Sequence, residues 1–276
     1  MAHVCALSIK KNLKINSISL VTDNQSLEYL KSILTDTEIS ECFDNILLTE
    51  TPRDKNDREL YDSPWTKISI PFINANRNLA YDITPYDETI VLDIDYVVLT
   101  NNFDNIWNNN LDFLVNKEAR DLRNEPQHKN ETRLNGNGIP MYWATILYFK
   151  KNENAKTLFN LVKFIKENYQ FYKFVYKFPG NTFRNDYVFS IAIHILNGFL
   201  ETDKYNFPNK SILTMSSKDD IVEVNNNRIL MLSHDTEKEW ENILVNVKED
   251  VHIMNKLAMN RHYKSFLKMF KKDIDE

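Results

Sequence analysis

The stretch "TIVLDIDYVVLTNNFDNIW", residues 89–107, decides how the rest of the chain is read. Thr89 to Leu92 and Ile94 have the character of the inside of a strand, yet Asp93 and Asp95 sit among them. A carboxylate in an apolar strand is costly unless it is paired or holds a cation. Residues two apart on a strand point to the same side. The two acids therefore converge on one point if the strand continues, or straddle its C-terminal end if it stops at Ile94. Open α/β sheets place ligands at the C-terminal ends of their strands. Two hard oxygen ligands there suit Mg²⁺ or Mn²⁺, ions that keep waters and share a ligand's phosphates.

The composition narrows what such a site could serve. The chain has 276 residues, 42% hydrophobic and 12% aromatic, enough for a sizeable core. A net charge of −5 gives no general attraction to nucleic acid or to an anionic membrane. Gly136, Gly138, Gly180 and Gly198 are the only glycines. A dinucleotide fingerprint or a Walker loop needs several, so that backbone N–H groups can approach phosphate, and neither can be written here. A phosphorylated ligand would need another source of positive charge, and a metal on Asp93 and Asp95 supplies one. Cys5 and Cys42 make no disulfide framework, which sets a reducing cytosol as the expected location. No signal peptide and no apolar run of about 18 residues is present.

The pattern along the chain alternates. Helices are predicted over 2–11, 25–35, 63–74 (from Pro64 in a first turn), 153–168, 184–198 and 262–274. Strands are predicted over 16–22, 45–49, 88–94, 111–118 and 145–151, near 211–214, 221–224 and 228–232, and over 242–247. Residues 102–107 form a short helix or turn, and 120–138 a long polar loop. The alternation predicts an α/β domain around a single mixed, mostly parallel sheet.

"VLDIDYVVL" also fits the first motif of the haloacid dehalogenase-like phosphatases, in which Asp93 would be the nucleophile. That motif normally lies on the first strand, and here at least two strands precede it. "KDD" at 218–220 imitates that family's later acidic pair, but the order Ser/Thr, Lys, acid is not present.

A longer run of features resembles the GT-A glycosyltransferases, most closely the glycogenin and lipopolysaccharide galactosyltransferase group, family 8. "TKISIPFI" offers Thr66 and Lys67 for a Thr/Arg-Lys element; "TPYDETIVLDIDYVVLTNNFDNIW" offers the metal pair Asp93 and Asp95 and the following Asn102–Trp107 turn. "RNDYVFSIAIHIL" resembles the helix that reaches the donor sugar, with Asp186 on its Asp; "KEDVHIMNKLAM" resembles the segment supplying a His metal ligand and a Lys for the diphosphate, with His252 and Lys256. The resemblance covers most of residues 1–261, with 262–276 as a separate C-terminal amphipathic helix.

The resemblance implies a metal-dependent, retaining transfer of a hexose from a nucleoside diphosphate sugar, a UDP-sugar above all, to a hydroxyl acceptor. Asp93, Asp95 and His252 would hold Mn²⁺ or Mg²⁺. Asp93, Lys67, Lys256 and Trp143 would bind the donor, and Asp186 would be the catalytic residue. His234, after the apolar "RILML", competes with His252 as third ligand; His194 reads as a core residue; Lys67 reads equally as a solvated helix residue, and Asp186 as a helix cap. Trp143, Ala144 and Thr145 replace the family's Asn-Ala/Ser-Gly, and Tyr187 replaces its Gln, so the sugar contacts differ.

This fold normally starts with a strand, whereas Met1 leads straight into the helix with Ala6, Leu7, Ser8 and Ile9. The expectation is a missing first strand, with an in-frame extension that would raise stability and donor affinity, or else a degenerate GT-A binding module. In the C-terminal segment, Tyr263, Phe266, Leu267 and Phe270 share one helical face. Docking on the domain is the favoured reading of that face over membrane contact.

Overall fold

Local chemistry states where the first helices begin. The computed structural model describes residues 1–15, 17–50, 57–71, 76–107, 109–126, 133–135, 138–178, 180, 183–208, 211–226, 228–235 and 241–271. Helix α1 (Ala2–Asn12) precedes a parallel pair, β1 (Ser19–Thr22) and β2 (Asn45–Leu48), connected through α2 (Asn24–Ile33) and α3 (Asp36–Cys42). Asp23 caps α2 by accepting from the Ser26 amide, and Thr35 with Glu38 forms a capping box on α3. Each satisfies amide groups that a helix start leaves without partners.

The next element corrects the sequence reading. Residues 63–74 are predicted as a helix, but the chain forms an antiparallel hairpin of β3 (Asp57–Asp62) and β4 (Thr66–Pro71). Pro64 lies in its turn, where Ser63 takes a φ of 69°. Thr66, Ile68 and Ile70 recur with period two and are β-branched, which suits a strand better than a helix. Residues 72–74 lie outside the described residues.

A short helix, α4 (Ala80–Ile83), leads into β5 (Glu88–Leu92), and β6 (Tyr96–Val97) follows after the acidic pair. Then come β7 (Phe113–Asn116), β8 (Ala119–Arg120) and β9 (Trp143–Lys150). Three helices follow: α5 (Glu153–Glu167), α6 (Tyr169–Tyr176) and α7 (Asn185–Leu196). The last part holds β10 (Ile212–Met215), β11 (Asp220–Asn225), β12 (Arg228–Ser233), β13 (Ile243–Val247), β14 (Val251–Ile253), α8 (Lys256–Arg261) and α9 (Tyr263–Lys271).

The fold is α/β, with its strands in several sheets. Besides β1–β2 and the hairpin, β5–β9–β7 and β11–β12–β13 are antiparallel, and β6–β14–β10–β8 is mixed. Antiparallel ladders outnumber parallel ones among the described residues, which corrects the expectation of one mostly parallel sheet. The reason lies in the quoted stretch. β5 cannot run straight on through two carboxylates. It ends at Leu92, the Tyr96 N–H donates to the Asp93 carbonyl at 3.0 Å, and the chain turns into another sheet. A register shift between Val115 and Asn116 interrupts the β7–β9 ladder.

Helices α1 and α9, far apart in sequence, pack on one core. In α9, Phe266, Met269 and Phe270 are buried in the core that also holds Val4 and Leu7 of α1. His3 Nδ1 lies 2.7 Å from the Tyr263 hydroxyl, and Lys11 Nζ donates to the Met269 carbonyl at 2.9 Å. No described helix is long and apolar enough to cross a membrane.

Candidate metal centre

Two arms far apart in sequence meet at the end of β5. β14 pairs antiparallel with β6, placing His252 opposite Tyr96, and the Ile253 N–H donates to the Asp95 carbonyl at 2.9 Å. This register sets the His252 ring beside the Asp95 side chain, Nε2 to Oδ1 at 3.3 Å. Lys256, the first residue of α8, brings its Nζ to 3.1 Å from Asp95 Oδ2. One ligand atom from each of Asp93, Asp95 and His252 lies within 4.8 Å of the others. Asp250 fastens the same junction: its Oδ1 accepts from the Leu99 N–H, the Thr100 N–H and the Thr100 hydroxyl at 2.7, 2.8 and 3.0 Å.

The charges are mutually compensated. Burial alone would raise the Asp95 pKa, but His252 and Lys256, through charge and hydrogen bonds, hold this carboxyl well below the usual range. Burial pulls His252 down, and the Asp95 charge and hydrogen bond, with the charge of Asp93, overcome it and raise the imidazole pKa. Cys5 packs beneath with its Sγ 3.8 Å from the Asp93 carbonyl. Burial, then the Asp95 charge, push its thiol up to about 12, so it stays protonated and is no thiolate ligand. Both cysteines are free and buried.

Asp93 has its own cation. The Arg77 guanidinium pairs with its Oδ1, and the Arg77 side chain is only 7% exposed. Lys166 of α5 donates to Asn76 Oδ1 and Asn78 Oδ1 at 2.9 and 3.2 Å, which steadies the turn that carries Arg77. The Asp93 N–H donates to the Thr145 carbonyl at 3.2 Å, and the neighbouring Ala144 N–H donates to Asp186 Oδ1 at 2.9 Å. Asp186 stands in the first turn of α7, where a negative charge is favoured by the helix dipole. Burial would raise its pKa, but Arg184, the Ala144 N–H and Arg77 together hold it low. Arg184 lies 5.8 Å from the centre of the Trp143 ring and 4.8 Å from that of Tyr187. Asp186 thus adjoins Asp93 through the backbone of Ala144 and Thr145 and the charge of Arg77, and Trp143 is the neighbour of Ala144 in β9.

The donor set fits a hard divalent cation. Ligands about 2.0–2.1 Å from such an ion are at most about 4.2 Å apart. Donor atoms already within 4.8 Å need only a small closing movement. Two ionised carboxylates and an imidazole are the chemistry such ions accept. Arg77 and Lys256 now offset the charge a bound cation would offset. Lys256 is the one able to withdraw, because its side chain is 38% exposed.

No protein-family model matches the sequence, and no curated protein matches it. Among solved structures, the apo form of mouse xyloside xylosyltransferase 1 is similar at a TM-score of 0.41. The identity is 15%, over 72% of this chain and 76% of that one. At that likeness the site stands on its own geometry.

The structure gathers Asp93, Asp95, His252 and Lys256 in one cluster, with Asp186 and Trp143 beside it. Lys67 is not among them. Its Nζ pairs with Glu59 across the hairpin at 2.5 Å, half exposed. Lys67→Ala is expected to leave the fold and Mn²⁺ binding unchanged in calorimetry. A loss of UDP affinity in that variant would restore the role the resemblance implies. His234 lies elsewhere, its ring edge-on to Trp65 at 5.6 Å and its N–H donating to Asp219 Oδ1 at 3.0 Å. The acidic pair of the phosphatase reading is also engaged away from Asp93: Asp219 accepts from His234 and Ser216, and Asp220 pairs with Arg261 at 2.9 Å.

Sequence reasoning missed Arg77 and Asn255. Arg77 lies three residues beyond the segment misread as a helix, and nothing local marked it as a partner of Asp93. Asn255 is fully buried. It caps α8 by accepting from the Ala258 N–H at 2.9 Å, and its amide donates to the Asp219 carbonyl at 2.8 Å and Asp62 Oδ1 at 3.2 Å. Asn255→Ala is expected to lower stability in urea by about 1–2 kcal/mol, the value of a cap, and to release Lys256 from its place on Asp95.

Proposed function

We propose that this protein is a metal-dependent glycosyltransferase of the GT-A type. It would transfer a hexose from a nucleoside diphosphate sugar, a UDP-sugar in first place, to a hydroxyl acceptor. The observation that carries this reading is the meeting of Asp93, Asp95 and His252 at a strand end, with Lys256 on Asp95. Those are the residues that the family resemblance assigns to metal and diphosphate. Retention of configuration and the GT-A assignment rest on the same resemblance.

Asp93, Asp95 and His252 would hold Mn²⁺ or Mg²⁺. When bound, the ion would stabilise the charge that develops on the departing diphosphate. Lys256 would exchange its contact with Asp95 for a phosphate oxygen, a charge-assisted hydrogen bond stronger than a neutral one. Arg77 would keep Asp93 oriented. Asp186, ionised and held by Arg184 and the Ala144 N–H, would face the donor sugar with a fixed negative charge. Trp143 would offer an apolar face to a sugar ring. The free, buried Cys5 and Cys42 accord with a reducing location such as the cytosol.

Thermal shift with UDP and a panel of UDP-sugars, with and without Mn²⁺, tests the reading, followed by UDP release as the measure of turnover. A metal-dependent shift lost in Asp93→Ala is expected. UDP binding that is unchanged by EDTA would remove the metal assignment. Metal-dependent binding with no turnover on any acceptor would leave the binding-module reading.

A further inference from the structure

Away from the metal centre, α5 and α6 meet at a corner that exposes more apolar surface than a water-facing corner needs. Phe164 at the end of α5 and Phe171, Phe174 and Val175 on α6 are all exposed, Phe174 by 82%. Phe171, Phe174 and Val175 are spaced three and four apart and share one face of α6, whereas Tyr169 on another face is buried. The surface is continuous. Ring contacts run from Phe164 to Tyr172, on to Tyr176 and His194, and end at Phe199. Phe199 and Leu200, in the turn after α7, are exposed as well. Phe199 has a φ of 64°, a conformation that a bulky residue adopts at a cost and that glycine would adopt freely. A strained, water-exposed Phe on one surface with five other exposed apolar side chains argues for a surface that meets something.

The charge around this corner identifies the occupant. Residues 163–177 carry Lys163, Lys166, Lys173 and Lys177 against Glu167 alone, in a chain whose net charge is −5. Lys166 turns inward to Asn76 and Asn78, while Lys163 and Lys177 are exposed. Glu201, which follows the exposed Phe199 and Leu200, is paired with Arg133 at 2.6 Å. Aromatic rings that stand out from the surface, flanked by lysines, match the acyl–headgroup boundary of an anionic bilayer: rings enter the apolar layer and ammonium groups meet lipid phosphates. A second copy of the chain fits less well, because a two-fold contact would bring the same lysines face to face.

We propose that the α5–α6 corner, with Phe199 and Leu200, docks this protein on the surface of an anionic membrane. The inference does not depend on the glycosyltransferase reading. Co-sedimentation of the full chain with phosphatidylcholine vesicles, with and without phosphatidylserine, tests it. Binding is expected with phosphatidylserine only, and to weaken severalfold when salt is raised from about 0.1 M to about 0.5 M. Phe171→Ser combined with Phe174→Ser should reduce binding at least about tenfold. The exposed positions make an unchanged thermal unfolding curve the control. Lys163→Glu with Lys177→Glu should remove the preference for phosphatidylserine. Wild-type protein that stays in the supernatant with phosphatidylserine vesicles would overturn the proposal, as would a serine variant that binds like wild type. A dimer in sedimentation velocity that Phe174→Ser converts to monomer, without vesicle binding, would assign the surface to a second copy instead.

Discussion

Replacing Asp95 by alanine is expected to abolish divalent-metal binding and to destabilise the fold. The side chain is one of three candidate ligands and the partner of both His252 and Lys256. Its loss leaves two cationic groups facing each other in a buried junction. Breaking a buried ion pair on one side costs about 3–5 kcal/mol. The lower end is expected here, because Lys256 is partly exposed and can turn to water, and His252 can shed its proton. Asp95→Asn separates the two effects. It keeps the volume and one oxygen, so the stability loss should be smaller. Mn²⁺ affinity should still fall at least about a hundredfold, beyond the ~10–100-fold that loss of a mere outer partner costs. Titration calorimetry with Mn²⁺ and urea unfolding of both variants check the two halves. An asparagine variant that binds Mn²⁺ as the parent does would remove Asp95 from the ligand set.

The second large effect is a dependence on pH with opposite signs for metal affinity and for metal-free stability. His252 has its pKa raised above the ordinary 6.5: burial opposes the charge, and Asp95 and Asp93 outweigh burial. A metal takes only the neutral ring, so below the raised pKa a proton competes for the same nitrogen. Affinity is expected to fall about tenfold for each pH unit. Asp95 adds nothing to this slope near neutrality, because its own pKa is depressed and the carboxylate stays ionised. Without metal the sign reverses. The stability that His252 contributes is complete below its unfolded value near 6.5 and is lost as pH rises through its folded pKa. Mn²⁺ affinity and metal-free melting temperature, measured across the neutral range, should therefore move in opposite directions. Parallel profiles, or a profile unchanged in His252→Asn, would place the third ligand elsewhere.

How much of this was legible in the sequence depended on the range of the cause. Asp93 and Asp95 were visible because two charges interrupt an apolar strand, a contradiction carried within seven residues. The helix starts at Asp23 and Thr35 lie in equally local chemistry. His252 and Lys256 could be marked only through resemblance, since β14 is three residues long, too short to show a period. What places them is pairing with β6, and pairing has no local signature. Arg77 was overlooked because its partner lies 16 residues on, beyond α4 and β5. The hairpin was misread for a related reason: Pro64 suits the first turn of a helix as well as a tight turn, and the alternation of Thr66, Ile68 and Ile70 had to decide. The division of the strands among several sheets followed from the turn at the acidic pair, a tertiary choice that alternation of helices and strands does not reveal.

The pairing of Tyr96 with His252 also governs when the centre can come into being. The two arms are separated by more than half the chain, and neither holds the other until that loop has closed. Contacts of such sequence separation form slowly, because the entropy of closure precedes any reward. Asp93 and Asp95 can reach their turn early, through the neighbouring β5–β9 ladder, whereas His252 arrives only with the C-terminal third. An ion captured by the full three-ligand set therefore reports a completed chain reversal, and the rate of its capture during refolding would time the last long-range step of assembly.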